Sequence, residues 1–69
     1  MRYSIIDRKK GEDIGLKPKC HRLSRDGQRM VVNECELLKT GMEPAEAAAF
    51  LGGELLSEGE CMNQIKKLI

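Results

Sequence analysis

Apolar positions come in short clusters along this chain, and their spacing changes once, near residue 33. Ahead of that point stand Tyr3-Ser4-Ile5-Ile6-Asp7, then Ile14 and Leu16 around Gly15, then Met30-Val31-Val32. β-Favouring residues in short runs, separated by glycine and charge, predict strands. Arg8-Lys9-Lys10-Gly11 predicts a turn from Tyr3–Asp7 into a second strand within Glu12–Lys17. Pro18 ends that strand, because proline offers no N–H to a ladder. Asp26-Gly27 lies between Cys20–Ser24 and Gln28–Val32. It predicts a second hairpin, since both residues tolerate positive φ. Residues 2–32 therefore read as an antiparallel β-meander of three or four short strands.

Beyond Asn33 the period becomes helical. Asn33 with Glu36 three residues on is a capping pattern, and Gly41 suits the position just past a helix end. Pro44 fits a first helical turn, Ala45–Leu51 has high helix propensity, and Gly52-Gly53 stops it. Ser57 with Glu60 forms a capping box, and Cys61, Ile65 and Leu68 follow at i, i+4, i+7 as one apolar stripe. Three helices are predicted, near 34–40, 44–51 and 58–68. On the second, Ala47, Phe50 and Leu51 are expected to face the sheet. Ala45, Ala48, Ala49 and Gly52 form a row of small residues that another helix could approach. Leu55-Leu56 reads as either a one-rung β contact or a buried loop. The expectation is one α+β domain over 1–69, a meander followed by three helices.

Composition adds a limit. With 69 residues, 41% of them hydrophobic, the chain fits one folded domain and is too short for two. A large enzyme cleft is disfavoured, because a chain of this size buries only about 60% of its unfolded surface. Tyr3 and Phe50 are the only aromatics, so the core must be aliphatic and marginal. A partner, or a second copy, would stabilise it.

Charge is uneven along the chain. Residues 1–32 carry nine basic and four acidic side chains, and residues 33–69 carry three basic and seven acidic. Six cations of the first half, Arg8, Lys9, Lys10, Arg22, Arg25 and Arg29, gather around its predicted turns, where they could neutralise phosphates. Ala45–Leu51, Gly52-Gly53 and Ser57–Ile69 also resemble a helix-turn-helix in outline. The link is longer than that motif's usual turn, however, and the would-be recognition helix opens with Glu58 and Glu60. Its cations, Lys66 and Lys67, stand at its far end, where they suit the helix dipole.

Cys20, Cys35 and Cys61 are an odd, sparse set that reads as free thiols in a reducing cytosol. With His21 they equal the ligand count of a Cys3His zinc site, but they lack the paired knuckle spacing. On a strand, Cys20 and His21 would point to opposite faces. Cys35 and Cys61 occupy helix positions that suit small buried hydrophobes. No metal and no cofactor is expected. The chain has no nucleophile elbow, phosphate-cradling loop or metalloprotease motif, so no catalytic residue is assigned. The longest uncharged stretch, Ala47–Gly53, is too short to span a bilayer. The sequence thus points to a small, non-enzymatic, cytoplasmic protein-interaction or accessory module with a protein partner or a second copy and no membrane contact. The alternative is a small nucleic-acid-binding protein using the basic meander.

Overall fold

A computed structural model describes residues 1–18 and 24–68. Two strands, β1 (Tyr3–Asp7) and β2 (Arg29–Asn33), form an antiparallel sheet in which Tyr3 pairs with Asn33 and Asp7 with Arg29. Among the described residues four helices accompany them: α1 (Arg8–Asp13), α2 (Glu34–Leu38), α3 (Pro44–Phe50) and α4 (Glu58–Leu68). The radius of gyration is 10.6 Å, near the ~11 Å of a compact chain this long. This is a small α+β protein.

Each strand buries three consecutive residues, Ser4-Ile5-Ile6 and Met30-Val31-Val32. Side chains alternate between the faces of a sheet, so three buried in a row means that both faces are covered. Gly11 of α1 sits against Met30 and Ile6, which places α1 over one face. α4 packs along β1: it begins just after Leu56, which exchanges two backbone hydrogen bonds with Tyr3, and it ends beside Arg29 and Ile5. α4 therefore runs along β1 in the same direction. The ladder continues beyond both strand ends, through Arg8 N–H to Gln28 C=O (2.7 Å) and Glu34 N–H to Arg2 C=O (3.0 Å).

The first predicted hairpin is corrected. The segment after β1 is helical, because the Asp7 carboxylate accepts hydrogen bonds from the amides of Lys9 and Lys10 and so caps α1. Arg8 pairs with Glu12 one turn later at 2.6 Å. No strand forms in Glu12–Lys17: Leu16 is buried, Ile14 is exposed, and Lys17 N–H donates to Glu36 of α2. The second hairpin is described only from Ser24 onward. Asp26-Gly27 does turn, with Gly27 N–H donating to Ser24 C=O at 3.0 Å and φ of +69° at Gly27. The strand it delivers, β2, pairs with β1 across 22 or more residues of chain. The predicted strand at Cys20–Ser24 falls mostly on residues 19–23, outside the described residues. Two strands replace the expected three or four among the described residues.

The three predicted helices are present. α2 and α3 end earlier than expected and α4 has the expected bounds. Leu55-Leu56 resolves to the one-rung contact, Leu56 with Tyr3. Two face assignments change. Ala47, Ala48 and Leu51 are fully buried while Phe50 is 63% exposed, so Ala48 leaves the small-residue row and Phe50 leaves the core. Cys61 is buried, but Cys35 is exposed.

Candidate functional site

One end of the molecule gathers most of the candidate cations. β1 closes there with Asp7, α1 opens with Arg8-Lys9-Lys10, and the Ser24–Gln28 turn leads into Arg29 of β2. The Asp7 N–H donates to Leu51 C=O, which brings the end of α3 to the same place. The last turn of α4 joins them: Lys67 and Leu68 share a cleft with Arg29, Gly52 and Gly53. The sequence assigns Lys67 to the helix dipole alone. Its proximity to Arg29 follows from α4 running along β1.

The cations differ in what they can still bind. Arg8 is committed, since its Nε meets Glu12 and its Nη1 donates to Gly27 C=O at 3.1 Å. That contact ties α1 to the 24–28 turn. Arg29 Nη1 donates to Gly52 C=O at 3.1 Å, which holds the guanidinium beside the α3–α4 link and leaves its other donors unpaired among the described residues. Lys9, Lys10 and Arg25 are exposed and make no side-chain hydrogen bond or ion pair among the described residues. Arg22 lies outside them. The α1 amides that could meet a phosphate are already capped by Asp7.

Carboxylates are interleaved with these cations. Asp26, in the turn, accepts from the Ser24 hydroxyl and the Gln28 N–H, and these hydrogen bonds, the Ser24 one foremost, hold its pKa below the ordinary value. Asp7, Lys10, Asp26 and Arg29 line one shallow depression, and Asp7, Arg8, Lys9 and Glu12 line the next. A phosphate track laid across this end would meet an acid beside nearly every base. The arrangement suits a partner with charges of both signs.

The α3–α4 link runs hard against β1. A Cβ on Gly53 would strike the Ile5 carbonyl oxygen, so only glycine fits there. It would also lie 2.8 Å from Ser4 Oγ, a buried hydroxyl with no partner among the described residues. This contact forms the inner wall of the cleft holding Arg29 and Lys67, whose volume is about 450 Å3.

Among the described residues, no three His, Cys, Asp or Glu side chains stand close enough to hold a metal ion. Cys20 and His21 lie outside them. No described helix is long and apolar enough to cross a membrane. Comparison of the chain with protein-family models, curated proteins and solved structures finds no match.

Proposed function

We propose that this chain is a small non-enzymatic interaction module, acting as one domain in the cytoplasm and docking a protein partner or a second copy through its basic end. The observation that carries the reading is Phe50. The one phenylalanine of the chain is 63% exposed at the end of α3, while alanines fill the core beside it. An aromatic side chain held on a rigid helix is a typical anchor for a protein interface. Two residues further along the chain, Gly52 lines the cleft with Arg29 and Lys67.

Nucleic-acid binding through Arg8, Lys9, Lys10, Arg22, Arg25 and Arg29 is the second reading. Lys9, Lys10 and Arg25 favour it, being exposed and unpaired among the described residues. Asp7, Glu12 and Asp26, placed between them, count against it.

Two measurements separate the readings. A photo-crosslinking side chain at position 50, in cells, should yield a discrete protein adduct that the same group at exposed position 45 does not. Duplex and single-stranded oligonucleotides at low salt should show no affinity that falls with log[salt]. Absence of the position-specific adduct, with oligonucleotide binding whose salt slope is ~0.9 per phosphate contact, would move the assignment to nucleic acid.

A further inference from the structure

The cleft between the α3–α4 link and the last turn of α4 has a composition that narrows its occupant. Ile5 and Leu56, both buried, line it together with the part-exposed Leu68. Arg29 and Lys67 supply two cations, and Gln64 an amide that can both donate and accept. Its volume, about 450 Å3, lies within the ~300–1,000 Å3 range of small-ligand sites. A ligand that satisfies this lining needs an aliphatic group and a carboxylate close together, with a peptide-like group for Gln64.

We propose that the cleft takes the free C-terminus of an extended peptide ending in an aliphatic residue, with its carboxylate between Arg29 and Lys67 and its side chain on Ile5, Leu56 and Leu68. A terminal aliphatic residue carries both groups on one Cα. An internal Asp or Glu does not: its adjacent neighbours turn to the opposite face, and the nearest aliphatic residue on its own face stands ~7 Å further along the chain. Arg29 is already oriented for this contact. Its Nη1–Gly52 bond fixes the guanidinium, so its remaining donors lose little freedom on binding. Gly53 cannot carry a side chain without striking the Ile5 carbonyl, so the link stays pressed against β1 and the inner wall is fixed in place. Glu54 is the one carboxylate among the described lining residues, and it opposes the ligand's charge.

This inference rests on the interaction-module reading and names the chemistry of its partner. The test titrates the full isotope-labelled chain with acetyl-Ala-Ala-Leu bearing a free carboxylate, and separately with its C-terminal amide, following backbone amide shifts. The free acid should shift the amides of Gly52, Gly53 and Gln64 saturably and bind about tenfold more tightly than the amide, as charge-assisted hydrogen bonds from two cations would give. Lys67→Gln should weaken the acid several-fold and leave the amide unchanged; Lys67 is exposed, so this variant keeps the fold. Glu54→Gln should tighten the acid. Equal binding of acid and amide, shifts confined to other surfaces, or no shift at millimolar peptide would each overturn the assignment. If that happens while the position-50 adduct persists, the cleft assignment alone falls. If both are lost, the module reading falls with it.

Discussion

α1 and α4 are both helices, and they are held by different forces. α4 has eleven residues and supplies its own support. Ser57 Oγ accepts from Glu60 N–H, and the Glu60 carboxylate accepts from Ser57 N–H. Its first turn is acidic, its last turn carries Lys66 and Lys67, and it has one apolar stripe. α1 has six residues, a glycine in its interior, no acidic residue in its first turn and one buried position, that same glycine. A helix this short is marginal on its own. It persists because Asp7 ends a sheet strand and caps it, while Gly11 lets it lie flush on Met30 and Ile6. One helix is written locally and docked afterwards; the other exists because of where the chain docks.

Substituting the glycine in each helix tests that contrast most strongly. In α1, Gly11→Ala should destabilise the protein. A Cβ there would lie 2.5 Å from Met30 Cε and 2.9 Å from Ile6 Cδ1. Both atoms are the ends of flexible side chains but lie in the buried core. Overpacking of ~1–3 kcal/mol is therefore set against the ~1 kcal/mol of helix propensity that alanine returns, a net loss of up to ~2 kcal/mol. Denaturant melts should show a lower midpoint with an unchanged slope. A more stable Gly11→Ala protein would mean that α1 is limited by propensity, as an isolated helix is, and the contrast would collapse.

The caps give the next effect. Asp7→Ala removes the acceptor for the amides of both Lys9 and Lys10 and should cost ~1 kcal/mol. Because the exposed Arg8–Glu12 pair is the only other local support of α1, hydrogen exchange should accelerate through all of Arg8–Asp13. Ser57→Ala should cost a similar or smaller amount, with the change confined to the first turn of α4. If Ser57→Ala instead opened the whole of α4, its stripe and last turn would not be holding it.

This difference also sets what the sequence can disclose. α2, α3 and α4 are legible because caps, Pro44 and the Cys61-Ile65-Leu68 spacing are local signals. The turn at Asp26-Gly27 is legible for the same reason. α1 is not, since Arg8-Lys9-Lys10-Gly11-Glu12-Asp13 has no apolar period and reads as turn material. β2 is legible as a strand and illegible in its pairing: a sheet covered on both faces shows no alternation to fix its register, and its partner is distant in sequence. In α3 the run of alanines leaves the buried face ambiguous, and Phe50, expected inward for its size, faces solvent. Of the candidate site, the cations of the first half can be named from the chain, whereas the meeting of Arg29 with Lys67 depends on the direction of α4 over the sheet.

Gly59→Ala is the counterpart of the α1 substitution and should have the opposite sign. Nothing lies within 4 Å of where its Cβ would be, and its φ is not in the left-handed region. Alanine there should stabilise by ~0.5–1 kcal/mol, through helix propensity alone. A loss of stability would show that the first turn of α4 touches something that its local signals do not account for.

The smallest effect is a pH dependence peculiar to the locally written helix. Hydrogen bonds from Ser57, its side chain first and then its backbone N–H, hold the Glu60 carboxyl below its ordinary pKa of 4.5. A carboxyl whose folded pKa is depressed binds its proton more readily in the unfolded chain. Its contribution is therefore complete above the unfolded value and is lost as pH falls through the folded one. Glu36 and Asp26, also lowered, titrate over the same acid range, so the wild-type melting curve alone does not isolate Glu60. The difference between wild type and Glu60→Gln does. Glutamine cannot be ionised, so wild type should be the more stable of the two near pH 6–7, and the gap should narrow steadily as pH falls below about 4.5. A gap independent of pH would mean that the Glu60 charge contributes nothing to the cap and that Ser57 alone starts α4.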